Sequence, residues 1–350
     1  MKTSACATLL SLALLGGVSV FGQTTATTDP VGFITMNIAG GGSVASPKLS
    51  LISPTLTRPI LYQGLITAIA GTTITVSGTP WAADAFNGVN GSHYVEIVST
   101  AVPARSGTMS DIVNTPTQNT IVTAGDLSVN QAAVGDTVRI RKDVTIADVF
   151  GATNTAGLLA SDDATTADEV AIYNGANSTS YFYYNGGAPG FPDGWYNAAT
   201  FDPAGNIPIA PNEAVVVKRK AAGALTLTSV GSVKTGNTIF AVVNGLNVLG
   251  TASAQGLTLD ASGLRTGNDN TGVKATDDAS TADEVVLYGG VSSTSYFYYN
   301  GGAPGFPDGW YNSATFDPAG SIVIAAGTAF VVNRKGGLSF NWALPSPTSF

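Results

Sequence analysis

Ser178–Asn197 reads STSYFYYNGGAPGFPDGWYN, and the same twenty letters return unchanged at Ser293–Asn312. The match runs outwards without a gap. Asp162–Lys220 aligns with Asp277–Lys335 at a constant offset of 115 residues, with about three quarters of the positions identical. A fixed-period repeat dictates architecture before any other feature does. It also bears on chemistry, because duplicated aromatic loops suit binding or building better than a single asymmetric reacting centre.

The strands around the repeat follow from alternation and turn residues. Within the copies they are expected at Glu169–Tyr173 and Glu284–Tyr288, Ser180–Tyr184 and Ser295–Tyr299, and Ala214–Lys218 and Ala329–Asn333. A last strand follows each basic cluster, at Ala224–Thr228 and Leu338–Trp342. Asn185-Gly186-Gly187, Pro189-Gly190 and Pro192-Asp193-Gly194 mark turns. Val233–Val243 and Asn247–Thr251 lead into the second copy. Val31–Ile38 and Leu49–Ser53 fill those places ahead of the first copy.

Between Leu49–Ser53 and the first copy lies a stretch with no counterpart in the second. It holds a hairpin, Leu65–Ile69 with Thr72–Val76, and short strands at Tyr94–Ser99, Asp111–Asn114, Asn119–Thr123 and Thr137–Arg141. Five or six short strands over some eighty residues make a small barrel or curled sheet. Asp143–Gly151 supplies the one expected helical turn. The fold class expected is therefore all-β. Two tandem homologous β-sandwich-like modules are expected, the first (23–62 with 143–228) interrupted by a small β-barrel-like inserted domain (63–142), the second spanning 229–350.

Composition agrees with a β-rich chain of many tight turns. Of 350 residues, 42 are Gly and only 11% are charged. The net charge of −8 repels phosphate backbones, so nucleic acid is not an expected partner. Met1–Gly22 has the form of a secretory signal peptide. Lys2 precedes the apolar Ala5–Val20, and Val20 and Gly22 place small residues before a cut at Gln23. The single cysteine, Cys6, lies in that leader. The exported chain then has no disulfide, thiolate metal site or Cys nucleophile, and no membrane insertion is expected after the leader is removed. Phe350 is like the last residue of outer-membrane barrels, but the long alternating strands of such a barrel are missing.

The head Asp29-Pro30-Val31-Gly32-Phe33, the segment Thr145–Gly151, the Ala-Asp-Glu-Val strand, the Gly-Trp-Tyr turn and the Val-x-Arg-Lys strand ends resemble an uncharacterised family of exported proteins from Verrucomicrobia. That resemblance covers nearly the whole exported chain and implies export, with no catalytic residues to carry over. A looser likeness is to β-sandwich modules of bacterial surface proteins, through Gly245, Asn247, Leu249, Gly250, Tyr296–Tyr299, Trp310, Gly327, Ala329, Phe330 and Val332. Those positions are glycines and core residues, so they bear on fold.

Neighbours in Tyr181-Phe182-Tyr183-Tyr184 point to opposite faces of a strand. Tyr181, Tyr183, Trp195 and Tyr196, with Tyr296, Tyr298, Trp310 and Tyr311, are candidates for a flat platform under a sugar ring. The competing expectation is that the rings pack under the 185–194 loop or against the sister module. Asp162, Asp163 and Asp168, with Asp277, Asp278 and Asp283, raise calcium as a ligand, against solvated acids capping turns. No other cofactor is expected. His93 is the only histidine, which leaves a Ser-His-Asp arrangement one base, and a surface position is expected for it.

The expected function is that of an exported, non-catalytic structural or interaction protein of the cell surface, periplasm or extracellular space. Its low charge suits assembly with copies of itself through exposed strand edges. Binding of a surface polysaccharide through the duplicated aromatic loops is the alternative.

Overall fold

The computed structural model describes residues 29–345, apart from 89–91, 175–176, 212 and 290–291. The leader, the Thr-rich residues that follow it up to 28, and Phe350 lie outside the described residues. The chain is all-β, and the two modules carry the same sheets in the same order.

In the first module, strand Val31–Ile38 pairs with Leu225–Ser232. A five-stranded antiparallel sheet runs in the order Gly194–Asn197, Asn177–Tyr184, Glu169–Asn174, Ala214–Arg219, Lys48–Ile52. Val31–Ile38 alternates as a half-buried strand should, with Ile34, Met36 and Ile38 inward. Those three meet Ile52, Val170, Ile172, Val215 and Val217 from the larger sheet in one core. A single helical turn, Ile146–Phe150, drops Ile146 and Phe150 into the same core. Its capping box uses the Thr145 side chain and Asp148 to satisfy the first N–H groups.

The second module repeats this. Thr238–Val242 pairs with Phe340–Leu344, and the five-stranded sheet runs Gly309–Asn312, Ser293–Tyr299, Glu284–Tyr288, Phe330–Arg334, Gly245–Leu249. Phe240, Val242, Phe340 and Trp342 face Val285, Phe330 and Val332 across its core. Phe240 stacks on Trp342 with ring centroids 4.9 Å apart.

Strands Ile60–Ala70, Thr73–Val76, Thr120–Thr123, Met109–Thr117, His93–Val98 and Thr137–Lys142 close into a six-stranded barrel. Its interior is Ile66, Ile74, Val95, Ile97, Ile121, Val138 and Ile140, with Trp81 packed against them. Closure leaves the barrel no open sheet edge of its own. The barrel is fastened to the link between the modules by a buried ion pair, Glu96 Oε1 to Lys234 Nζ at 2.8 Å. Arg141 joins it through Asp29 and through the Arg58 carbonyl, which accepts from Nη1 at 2.7 Å.

The outer faces of the two five-stranded sheets pack on each other. The layer between them contains Leu51, Ala171, Tyr173, Ala214 and Val216 from the first module, and Val248, Val286, Tyr288, Ala329 and Val331 from the second. These ten residues are five equivalent pairs. Four are related by the repeat offset. The fifth, Leu51 with Val248, follows from register, since Ser50 faces Val217 and Asn247 faces Val332. An interface in which each residue meets the environment of its own copy is isologous, as in two-fold dimers. Gly250 and its equivalent Ser53 lie against each other. A Cβ on Gly250 would stand 2.3 Å from Ser53 Oγ and 2.9 Å from the Glu213 carbonyl oxygen, which is why glycine sits there. Backbone bonds cross the junction too: Ser53 N–H donates to Gly327 O at 2.9 Å and Ala329 N–H to Leu51 O at 3.2 Å.

Three local readings change. The Gly-Trp-Tyr turn is the edge strand Gly194–Asn197, because Trp195 and Tyr196 pair with Tyr183 and Phe182 and point to opposite faces. Val233–Val243 is a strand only over Thr238–Val242, since Lys234 turns inward to reach Glu96. The two-residue pairs Val144–Thr145 with Pro208–Ile209, and Leu257–Thr258 with Val323–Ile324, are too short for alternation to reveal.

Candidate functional site

The duplicated aromatic residues are interior. Tyr181, Tyr183 and Trp195 belong to the core of the first module, and Tyr196 packs with Phe182, Tyr184 and Ala167 beneath the 185–194 loop. Tyr183 meets Trp195 edge to face at 5.5 Å between centroids. Trp195 is 3% exposed and donates from Nε1 to the Gly151 carbonyl at 2.8 Å. The Tyr196 hydroxyl donates to Pro192 O at 2.9 Å, and the Ala188 N–H donates to the Tyr184 hydroxyl at 3.2 Å. Both hydroxyls therefore pin the loop that covers them.

The second copy repeats this arrangement. Tyr298 and Trp310 meet at 5.6 Å, and the Tyr311 hydroxyl donates to Pro307 O at 2.9 Å. Tyr296, Trp310 and Tyr311 are buried, and Tyr298 is half-buried with the Arg265 guanidinium 5.3 Å from its ring centroid. A sugar platform made of these eight rings is corrected accordingly: seven are buried and Tyr298 is half-buried. In the loops that cover them, Phe191 and Phe306 stand 44% and 43% exposed at equivalent places. Phe306 borders a depression of about 380 Å³ with Asp260, Asp308, Phe316 and Pro318, floored by Trp310 and Tyr311.

The carboxylates divide in two. Asp168 is buried, ion-paired with Arg219, and accepts from the Lys220 and Leu159 N–H groups at 2.6 and 2.7 Å. Asp283 does the same with Arg334 at 2.5 Å and with the Lys335 and Lys274 N–H groups at 2.7 Å each. These two hold the start of one strand to the end of another, each buried and already neutralised by its arginine. Asp162 and Asp277 are exposed, as are Asp163 and Asp278. Asp163 accepts from the Thr165 N–H and hydroxyl at 2.8 Å each, and those bonds hold its carboxyl below the usual range. Asp278 is held in the same way by Ser280. The expected calcium ligands are corrected at four of the six positions: Asp168 and Asp283 are ion-paired, and Asp163 and Asp278 cap turns. Among the described residues no group of three or more His, Cys, Asp or Glu is placed to hold a metal ion.

His93 is buried, not at the surface. It opens a barrel strand and packs against Phe86 with ring centroids 5.2 Å apart.

A second group of carboxyls was not legible from spacing. Where the barrel meets both modules there is a cavity of about 410 Å³, lined in part by Tyr94 and Asp111 from the barrel, Tyr173 and Glu213 from the first module, and Phe240 and Val248 from the second. Asp143 lies close by, and its Oδ1 has no hydrogen-bond partner among the described residues. Burial, then the charges of Asp111 and Glu213, push the Asp143 carboxyl up to about 8. Burial, with the Asp111 charge adding to it, pushes Glu213 up to about 7. Desolvation disfavours the charged form, and three acids from three elements repel one another.

No family profile matches this chain, and comparisons with curated proteins and with solved structures find no similar protein either.

Trp195→Ala and Trp310→Ala are each expected to lower the unfolding free energy by about 3–5 kcal/mol, as large-to-small aromatic changes in cores do. Denaturant midpoints measure this, and a loss under about 1 kcal/mol would show the rings to be dispensable to the cores. For pH, a raised carboxyl keeps its proton in the folded chain after the unfolded chain has released it. The stability that Asp143 contributes is full below about pH 4 and falls as pH rises towards 8, by on the order of 1.4 kcal/mol per pH unit. Asp143→Asn is therefore expected to raise the melting temperature at pH 8 and to leave it nearly unchanged at pH 4. An equal shift at both pH values would contradict the assignment.

Proposed function

We propose that this protein is an exported structural or interaction component of the cell surface or periplasm, working by association and not by catalysis. The observation that carries this reading is what the duplicated residues do. The aromatic strand and the buried Asp–Arg pair each appear twice and each time hold a sandwich together. The faces of the two copies are then spent on pairing the modules. A chain that repeats its framework and joins the copies symmetrically is organised as a building unit.

Binding of a polysaccharide is the second reading, and one observation favours it. Phe191 and Phe306 stand out of equivalent loops, and the Phe306 depression combines an apolar wall with Asp260 and Asp308, as a sugar ring requires.

The deciding measurement is retention of the chain from Gln23 on a panel of soluble and insoluble polysaccharides, with calcium and with chelator. No retention in either condition is the expected result. Retention on one glycan, lost in the Phe191→Ala/Phe306→Ala variant with an unchanged melting temperature, would replace the first reading with the second.

A further inference from the structure

The two-fold relation between the modules makes two equivalent sheet edges, and among the described residues only one of them is covered. In register, Ile38 faces Leu225 and Val242 faces Phe340, so Thr35 in the first module is the equivalent of Ile239 in the second. The Ile239 N–H donates to the Gly107 carbonyl of the barrel at 3.1 Å. Gly107 takes φ +93°, and a Cβ there would fall 2.2 Å from the Asn237 carbonyl oxygen, so the barrel backbone lies directly on that edge. The barrel thus caps the first strand of the second module.

At the equivalent place in the first module there is no barrel. Strand Val31–Ile38 pairs with Leu225–Ser232 on one side, and among the described residues nothing pairs with its other side. A groove of about 440 Å³ runs along Thr35–Ala39 there. Apart from the barrel residues, the capped cavity is lined by the equivalents of residues that line this groove, with Tyr288 in the place of Tyr173 and Thr328 in the place of Glu213. The groove carries no charged side chain. The capped edge shows that this site has room for a length of foreign backbone, and that backbone is what covers it.

We infer that the free edge Val31–Ile38 is where a second copy of this chain joins, strand 31–38 against strand 31–38 in antiparallel register. This rests on the self-association reading above and names its surface. The pairing makes a four-stranded sheet from two ribbons and is isologous, so it closes at a dimer. Three observations favour a second copy as the occupant. Neither strand of the ribbon carries a charged residue, so two chains of net charge −8 meet where repulsion is least. Val31, Phe33 and Val230 stand 75%, 73% and 68% exposed on the outer face of the ribbon, with Phe33 directly across from Val230. That apolar surface continues across the joint when the ribbon is doubled. An edge of eight residues with no charge, proline or bulge is also the kind that pairs with its own copy.

Sedimentation velocity over a range of concentrations tests this, using the chain from Gln23, which keeps every described residue. The variants are Phe33→Lys, which places a charge on the exposed edge strand, and Thr35→Pro, which removes the N–H equivalent to that of Ile239. Val323→Lys, at a 54% exposed position in the second module, is the control. The expected result is a concentration-dependent dimer whose dissociation constant rises at least tenfold in both edge variants and stays put in the control. Phe33 is solvent-facing, so Phe33→Lys keeps the fold and carries the test if Thr35→Pro unfolds. Self-association that survives Phe33→Lys unchanged would overturn this joint and leave the self-association reading standing. A strictly monomeric wild-type chain at high concentration would overturn both.

Discussion

Exclusion of water between two equivalent sheet faces is the constraint on which the rest of this structure depends. The layer formed by Leu51, Ala171, Ala214 and Val216 against Ala329, Val331 and their neighbours is apolar on both sides. Burial of this kind is non-directional, so it sets no register by itself. Register comes from the directional contacts at its margin, where Ser53 and Ala329 bond across the junction and Gly250 lets the backbones close up. With the faces fixed, the segment around Gly327 is brought over the open side of the first sandwich, near Ile34 and Met36. The segment Ala210–Glu213 takes the matching place beside Phe240 and Leu249.

The barrel breaks this symmetry. It is inserted after Lys48–Ile52, at a point where the second module passes directly to its next strand. It is held by Glu96, Lys234, Arg141 and Asp29, all but Asp29 nearly inaccessible to water. Burial pushes the Lys234 ammonium below its usual value, while Glu96 favours its charge. Such a network is weak evidence for stability, since its desolvation cost offsets its attraction. Its consequence is geometric: it fixes which of the two equivalent edges the barrel covers. The Asp168–Arg219 and Asp283–Arg334 pairs are of the other kind, present in both modules and internal to each.

Much of this architecture was legible because alternation and repeats are properties of the chain alone. Val31–Ile38 declared its inner face through Ile34, Met36 and Ile38, and the letters repeated at an offset of 115 residues declared two copies of one sheet. The strands of the unmatched stretch declared a small barrel or curled sheet, and they close as a barrel. What covers a strand was not legible. Alternation says that Tyr181 and Phe182 face opposite ways, but not that the 185–194 loop folds back over Tyr184 and Tyr196. For the same reason His93 read as a surface residue, and Asp168 and Asp283 read as candidate ligands when each was matched to an arginine about fifty positions away. The meeting of Asp111, Asp143 and Glu213 depends on three elements docking, which no local pattern encodes. A cue did exist for Phe191 and Phe306: each sits in a Gly/Pro-rich loop outside any alternating run, where an aromatic ring has least to pack on.

The central claim is that the modules are joined through equivalent faces, and a double-mutant cycle across that layer tests it most directly. Leu51→Ala and Val331→Ala truncate one residue from each module, and both side chains line the same slot between the sheets with Val216 and Val248. The account predicts that the double variant departs from the sum of the two single losses by about 0.5 kcal/mol or more, as residues sharing a packed layer do. Losses that add within about 0.3 kcal/mol would contradict it, because the two modules would then be folding without reference to each other.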